Sequence, residues 1–398
     1  MVAWRRLNFL FLNLGHFFDH LFILIYATVA ALALQTEFDL SYSALIVYAT
    51  PMFVAFGAFA LPAGWLADRW SRRGMMVLFF IGTGTSSVLT SMATSPLEIG
   101  LGLFSIGVFA SIYHPVGITM VVETYRERTG MALGINGVWG NMGVAFAAIL
   151  TGALIDFAGW RAAFLAPGLA AIVTGLCYAV FCARDPTAIP AATPAAKKPE
   201  AAKLVLDRAV LIRVFFIIAL TTTLGSLIFQ AITVSLPKVL DERLAGFASS
   251  ATEIGAWAFI VLAVASLAQI VIGHLVDRYS IRTVFAVVAG LQVPVCLVFI
   301  GISGVPVLIG SLVFMLLVFG QIPINDALLS RITTSEYRSR IYGVKFVLSF
   351  AVSACAIPLV ALLHRTTGFD GLFMVMAVTA ALIWTAVMAL PRMRAATA

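Results

Sequence analysis

Apolar runs of about twenty residues, each ended by a short polar loop, follow one another almost to the C-terminus of the chain. At about 1.5 Å per residue, such a run crosses a hydrocarbon layer about 30 Å thick as a single helix. The pattern predicts helices over 8–34, 42–67, 75–94, 97–122, 131–155 and 162–183, and then over 209–236, 250–276, 283–303, 305–330, 341–364 and 371–391. Between the two sets of six lies "RDPTAIPAATPAAKKPEAAK", where Pro, Ala and charge replace the apolar runs, as in an aqueous linker. The expected organisation is a first bundle over 1–183, a linker over 184–208 and a second bundle over 209–398.

Composition agrees with this pattern. Hydrophobic residues make up 62% of the 398 and charged residues 11%, with a mean hydropathy of +1.04. A soluble domain is nearer half apolar and a quarter charged. The first apolar run is too long for a signal-peptide core and lacks a small-residue cleavage site after it, so no cleavable leader is expected. The net charge of +7 need not imply nucleic acid, because in a membrane protein the placement of charge matters more than its sum. With the N-terminus in the cytoplasm, 20 of the 25 Lys and Arg fall on the cytoplasmic side. Only Arg161, Lys238, Arg243 and Arg365 fall outside, and Lys345 lies just within a span. Both termini are therefore expected in the cytoplasm, as in a multi-pass protein of a bacterial inner membrane. Cys177, Cys182, Cys296 and Cys355 lack metal-ligand spacing and read as packing residues. No metal or cofactor is expected.

The two halves repeat. "GWLADRWSRRG" (64–74) and "GHLVDRYSIRT" (273–283) share Gly, Leu, Asp, Arg, Ser and Arg at a single offset of 209 residues. "YRER" (125–128) and "YRSR" (337–340), then "GWRAAF" (159–164) and "GFDGLF" (368–373), recur in matching places. Six-helix halves in one orientation are parallel repeats, an architecture of alternating-access transporters. A P-loop, an HExxH and a nucleotide-binding glycine turn are absent from the sequence, which argues against an enzyme.

The twice-occurring loop resembles the signature loop of the major facilitator superfamily, and the resemblance covers nearly the whole chain. It implies an all-α integral membrane protein with twelve transmembrane helices in two six-helix bundles. It also implies that Asp68, Arg69 and Arg73, with Asp277 and Arg278, form a cytoplasmic gating latch. Within that superfamily, His16 and Asp19, "SIYHP" (111–115) and "GNMG" (140–143) are similar to the fosmidomycin-resistance branch of efflux proteins. The chain has Val116 and Thr119 in the neighbourhoods where that branch typically has a Glu and an Arg. It departs from the common drug antiporters at Leu103, where an arginine is usual, and at Gly140-Asn141, where they have Gly-Pro.

Ionisable groups inside a membrane are costly and mark function by default. Of the 18 acids, only Asp19 and Asp326 fall well inside predicted spans, joined by His16, His20 and His114. Asp19 sits roughly 16 Å along the first span, near the midplane. His16 and Asp19 are i,i+3 neighbours on a face that continues to Tyr26, whereas His20 lies about 100° round the helix from Asp19. His114 is about 12 Å from the cytoplasmic end of the fourth span, and Pro115 after it is expected to kink that helix. Asp19, His16 and His114 are the candidates for proton coupling. His114, His16, Tyr26, Tyr113, Asn136, Asn141, Gln230, Gln321 and Asn325 are the candidates for binding substrate. Asp326 and Lys345, each five residues from a cytoplasmic arginine, are expected to form a gating or structural ion pair. Gly134, Gly137, Gly140 and Gly143 mark a close-packing or hinge surface. With no arginine at mid-depth, a highly charged phosphate ester is disfavoured as substrate.

These residues point to a secondary transporter that moves a small organic molecule, with protons and the lipid bilayer as its other partners. It is expected to be a monomer exporting by proton exchange. A proton-coupled uptake symporter of the same fold is the alternative. A non-transporting receptor or scaffold is a second alternative, which the midplane charges and twin loops disfavour.

Overall fold

The computed structural model describes residues 2–125, 128–184, 208–244, 246–332 and 338–391; the linker and the 125–128 and 337–340 repeats lie wholly or partly outside them. Among the described residues all regular structure is helical. In the first half α1 spans Val2–Leu32, and two short helices, α2 (Leu34–Phe38) and α3 (Tyr42–Ile46), lead into α4 (Thr50–Arg69). There follow α5 (Arg72–Ser91), α6 (Pro96–Ala110), α7 (Ile118–Thr124), α8 (Thr129–Ala158) and α9 (Trp160–Arg184). The second half holds α10 (Arg208–Arg243), α11 (Ala251–Ser266), α12 (Ala268–Arg278), α13 (Ile281–Val298), α14 (Val305–Ile332) and α15 (Arg338–Met388).

Every predicted span has its helix. The last two, 341–364 and 371–391, lie on the single long helix α15, which breaks at Gly368. There φ is 67° and ψ −165°, a backbone that disfavours any side chain, so glycine places the turn between two membrane crossings. Several helices begin on a serine cap, as Ser71 accepts from the Gly74 amide at 3.0 Å to start α5.

The chain divides into two compact units, Met1–Ala196 with Ala248–Ile260, and Lys197–Phe247 with Val261–Ala398. In the first, α5 packs along α9 and α1 along α8. Small residues set these distances, because lipid offers no hydrophobic drive for helix association and close backbone contact must supply it. A Cβ on Gly84 would fall 2.6 Å from the Gly168 carbonyl, and one on Gly168 would fall 2.9 Å from that of Gly84. Arg161 ties the end of this unit together, donating to Glu37 at 3.0 Å and to the Ala93 carbonyl at 3.2 Å. In the second unit α15 packs on α10 and α13, and α14 on α12 and α13. There Arg243 serves alike, pairing with Asp370 at 2.6 Å and donating to the Phe299 carbonyl.

The exterior is apolar, as lipid requires. Phe157 is 85% exposed, and Met92 and Phe216 are each 69% exposed. The interior, by contrast, collects polar groups: Asp19, Ser87, Ser235, Thr221 and Gln292 are fully buried.

Candidate functional site: a histidine–aspartate cluster between the first and fourth spans

The fourth predicted span is not one regular helix. Between α6 and α7 the residues Tyr113–Gly117 form a π turn, at the place where Pro115 has no amide hydrogen to give. This wide turn carries Tyr113 and His114 against α1. The Tyr113 hydroxyl donates to the Leu12 carbonyl at 2.8 Å and accepts from Asn136 Nδ2 at 2.9 Å. Asn136 Nδ2 also donates to Asn13 Oδ1 at 2.9 Å, so three buried side chains from α1, the π turn and α8 satisfy one another.

Asp19 is fully buried, and His114 Nε2 lies 3.3 Å from its Oδ2. Apart from this contact neither carboxylate oxygen has a hydrogen-bond partner among the described residues. His16, the i,i+3 neighbour of Asp19 on α1, has a different hydrogen-bond partner. The ring nitrogen of His16 is taken instead by α8, with Nδ1 lying 2.7 Å from the Asn136 carbonyl. A carbonyl can only accept, so Nδ1 carries a proton, and in the neutral ring Nε2 keeps its lone pair. The His16 ring stacks on Tyr113 with centroids 4.9 Å apart, and fits over Gly140, where a Cβ would fall 2.7 Å from Cε1 and Nε2. Gly143, one turn on, lies so close to the Phe17 carbonyl that a Cβ would collide with it. Gly134 and Gly137 have open space around them, so the glycine run is a close-packing surface only in its second half.

His20 belongs to the cluster. Its ring lies 4.9 Å from that of His16 and 5.6 Å from that of His114, closing a triangle of imidazoles. The angle around α1 alone set His20 aside, but His114 comes from another element and reaches both. The i,i+4 spacing of His16 and His20 was the signal available in the sequence.

The remaining candidates are spread out. The Tyr26 hydroxyl donates to the Leu45 carbonyl at 2.6 Å, joining α1 to α3. Asn141 is half-buried on α8. In the second unit Gln321 accepts from Gln292 at 3.0 Å and Asn325 accepts from Thr221 at 3.0 Å, making a neutral polar face. Gln230 is buried, and its Nε2 has no hydrogen-bond partner among the described residues.

At the loop between α4 and α5, Asp68 pairs at 2.7 Å with Arg72, which also pairs with Glu123 on α7. Arg69, one of the expected partners, instead lies over the Trp65 ring at 4.4 Å, and Arg73 is half-exposed. The repeat does not mark Arg72, because the second half has Ile281 at its place. Asp277 and Arg278 are exposed. Asp326 is half-buried on α14, while the side chain of Lys345 lies outside those described, and so does the expected pair.

Long apolar helices in two repeated halves, with a buried acid and histidines in one of them, define a multi-pass membrane transporter rather than an enzyme. The chain belongs to the Major Facilitator Superfamily, whose sequence model matches residues 12–248 and 244–397. It is 27% identical over 146 residues to the puromycin resistance protein pur8 of Streptomyces alboniger, covering 35% of this chain and 29% of that protein. It is 27% identical over 158 residues to the probable sulfoacetate transporter SauU of Cupriavidus necator, covering 39% and 36%. A probable hexose phosphate transport protein of Chlamydia pneumoniae is 25% identical over 174 residues, covering 44% and 38%. The matches thus span about a third of those relatives' lengths. In fold, the chain is similar to a bacterial homolog of the human lysosomal transporter Spinster in its inward-facing, unoccupied conformation. That likeness has a TM-score of 0.76 and 14% identity, and covers 97% of this chain and 96% of that one.

Proposed function

We propose that this protein exports a small organic compound from the cytoplasm in exchange for protons, with Asp19 and His114 as the proton-carrying pair. The observation that carries the reading is the buried Asp19–His114 contact at 3.3 Å. An isolated charge in such surroundings is costly, whereas an acid beside an imidazole is neutral overall whichever of them holds the shared proton. Removing that proton leaves an uncompensated carboxylate, so the pair exchanges it only when water or substrate reaches the site. Such a rule couples proton movement to access. His16 and Tyr113 hold the geometry of the pair. Asn136, Asn141 and Tyr26 are the substrate-binding candidates of the first unit, and Gln230, Gln321 and Asn325 are those of the second.

The similarity of His16, Asp19, "SIYHP" and "GNMG" to the fosmidomycin-resistance branch supports export, as does the relative named for puromycin resistance. The second reading is a proton-coupled uptake symporter, and the relatives named for sulfoacetate and hexose phosphate transport favour organic anions as its substrates. The distribution of Lys and Arg supports an inner-membrane location with cytoplasmic termini, and in this reading Asp68, Arg69, Arg72, Arg73, Asp277 and Arg278 gate on that side.

The test is flux in proteoliposomes, screening puromycin, sulfoacetate and a hexose phosphate first. Asp19→Asn should abolish flux driven by a pH gradient while leaving substrate exchange without a gradient in place. Gradient-driven flux equal to wild type in a folded variant would refute the coupling.

A further inference from the structure

A shared proton needs one acid and one base, yet three imidazoles meet here. We propose that His16, His20 and His114, with Asp19, form a binding site for a borderline divalent transition-metal ion, zinc(II) being the best fitted.

One ligand nitrogen from each histidine lies within 4.8 Å of the other two. Tetrahedral zinc with bonds of about 2.0–2.1 Å holds its ligand atoms roughly 3.3–3.4 Å apart. The cluster therefore closes on an ion by at most about 1.5 Å at its widest pair, a movement within reach of rotating the His20 and His114 rings. The first coordination partner is already oriented. The hydrogen bond of His16 Nδ1 to the Asn136 carbonyl leaves Nε2 as the donor, the outer-shell arrangement that fixes metal-ligating histidines. His16 and His20 stand one turn apart on α1, and His114 comes from the π turn, so an ion would join two elements.

Asp19 supplies what three neutral imidazoles lack. It is fully buried, its only polar contact among the described residues is His114, and its carboxylate would offset one of the two positive charges of the ion. Three nitrogens and one oxygen match zinc, cobalt, nickel and copper. They do not suit magnesium or calcium, which require shells of six or more oxygens.

The experiment uses the full chain in detergent, freed of any affinity tag and stripped of metal, titrated with cobalt(II) as a coloured substitute for zinc(II). One cobalt per chain should bind with the strong visible absorption of a tetrahedral site, and zinc(II) should displace it. His20→Ala should abolish that spectrum, and Asp19→Asn, which removes a direct ligand, should weaken binding by at least the roughly 10–100-fold that loss of an outer-shell partner costs. His274→Ala, at an exposed histidine outside the cluster, should leave it unchanged. Zinc(II), but not magnesium(II), should raise the unfolding temperature of wild type and not of His20→Ala.

Should His20→Ala fail to fold, His20→Gln and the zinc-dependent stabilisation of wild type decide the matter. Absence of tetrahedral cobalt in folded wild type, or its persistence in the His20 variants, would overturn the proposal. None of these measurements involves transport, so they stand or fall apart from proton coupling.

Discussion

Gly140→Ala tests whether the fit of His16 against α8 is as tight as the structure shows. The added methyl would fall 2.7 Å from His16 Cε1 and Nε2, against about 3.4 Å for an ordinary contact, so the ring must retreat by about 0.7 Å. It has little room to do so. Its Nδ1 hydrogen bond to the Asn136 carbonyl, now 2.7 Å, would stretch to as much as about 3.4 Å, beyond the useful range, and Tyr113 lies against one face. A buried hydrogen bond broken in this way costs about 1–3 kcal/mol. If the ring holds instead, α1 and α8 must part, and overpacking costs a similar ~1–3 kcal/mol. Against this, replacing a helical glycine by alanine contributes about 1 kcal/mol of stabilisation.

The net change in wild type is thus about zero to 2 kcal/mol unfavourable, which one variant alone would not distinguish from noise. The decisive measurement is the same substitution on His16→Ala. With the imidazole gone the collision disappears and only the helix term remains, so Gly140→Ala should become stabilising by up to about 1 kcal/mol. The coupling between the two positions should therefore reach about 1–3 kcal/mol. Unfolding by denaturant in mixed micelles, run on all four proteins, gives that number. An equal effect of Gly140→Ala in both backgrounds would refute the argument.

Two further outcomes follow from the same reasoning. Tyr113→Phe removes the side-chain donor to the Leu12 carbonyl and leaves Asn136 Nδ2 without one of its two acceptors, so it should destabilise the protein by about 1 kcal/mol in the same unfolding assay. No loss would mean that the hydroxyl bridges nothing of consequence. Glu37, on the short helix α2 after the first span, is held below the ordinary glutamate value of 4.5 by its hydrogen bond from Arg161. A depressed carboxylate contributes stability that is complete above its ordinary value and lost as pH falls through the folded one. Glu37→Gln should accordingly flatten the fall in unfolding temperature below about pH 4.5, by a small amount because the pair is exposed. An identical acid limb in both proteins would count against the bridge.

The helices were legible because lipid leaves the backbone no alternative. A run of about twenty apolar residues must satisfy its own hydrogen bonds, so spans such as 131–155 appear as α8 with only a few residues added at each end. The side-chain partners were not legible in the same way. Reading α1 by itself put His16 with Asp19 and left His20 aside, because helical spacing compares residues only within one element. His114 decided otherwise. Pro115 marked a disturbance, but not that it would be a π turn bringing Tyr113 and His114 onto α1. Asn13 gave no local sign of its role either, since its partner Asn136 is 123 residues away.

The same comparison separates what the two halves share from what they do not. Their repeat is strongest in the loops at 64–74 and 273–283, and even there Arg72, which binds Asp68 and Glu123, faces Ile281 in the alignment. Within the helices the divergence is chemical. The first unit gathers Asp19 and three histidines, groups that change charge; the second gathers Thr221, Gln292, Gln321 and Asn325, which hydrogen-bond without changing charge. A duplicated scaffold keeps its loops while its interiors specialise, because topology constrains the loops of both halves alike. A substitution that exchanges neutral for titratable groups should then act very differently in the two units. Asp19→Asn should remove proton dependence, whereas Asn325→Ala should alter substrate affinity at every pH alike. Loss of proton dependence in Asn325→Ala would contradict this division.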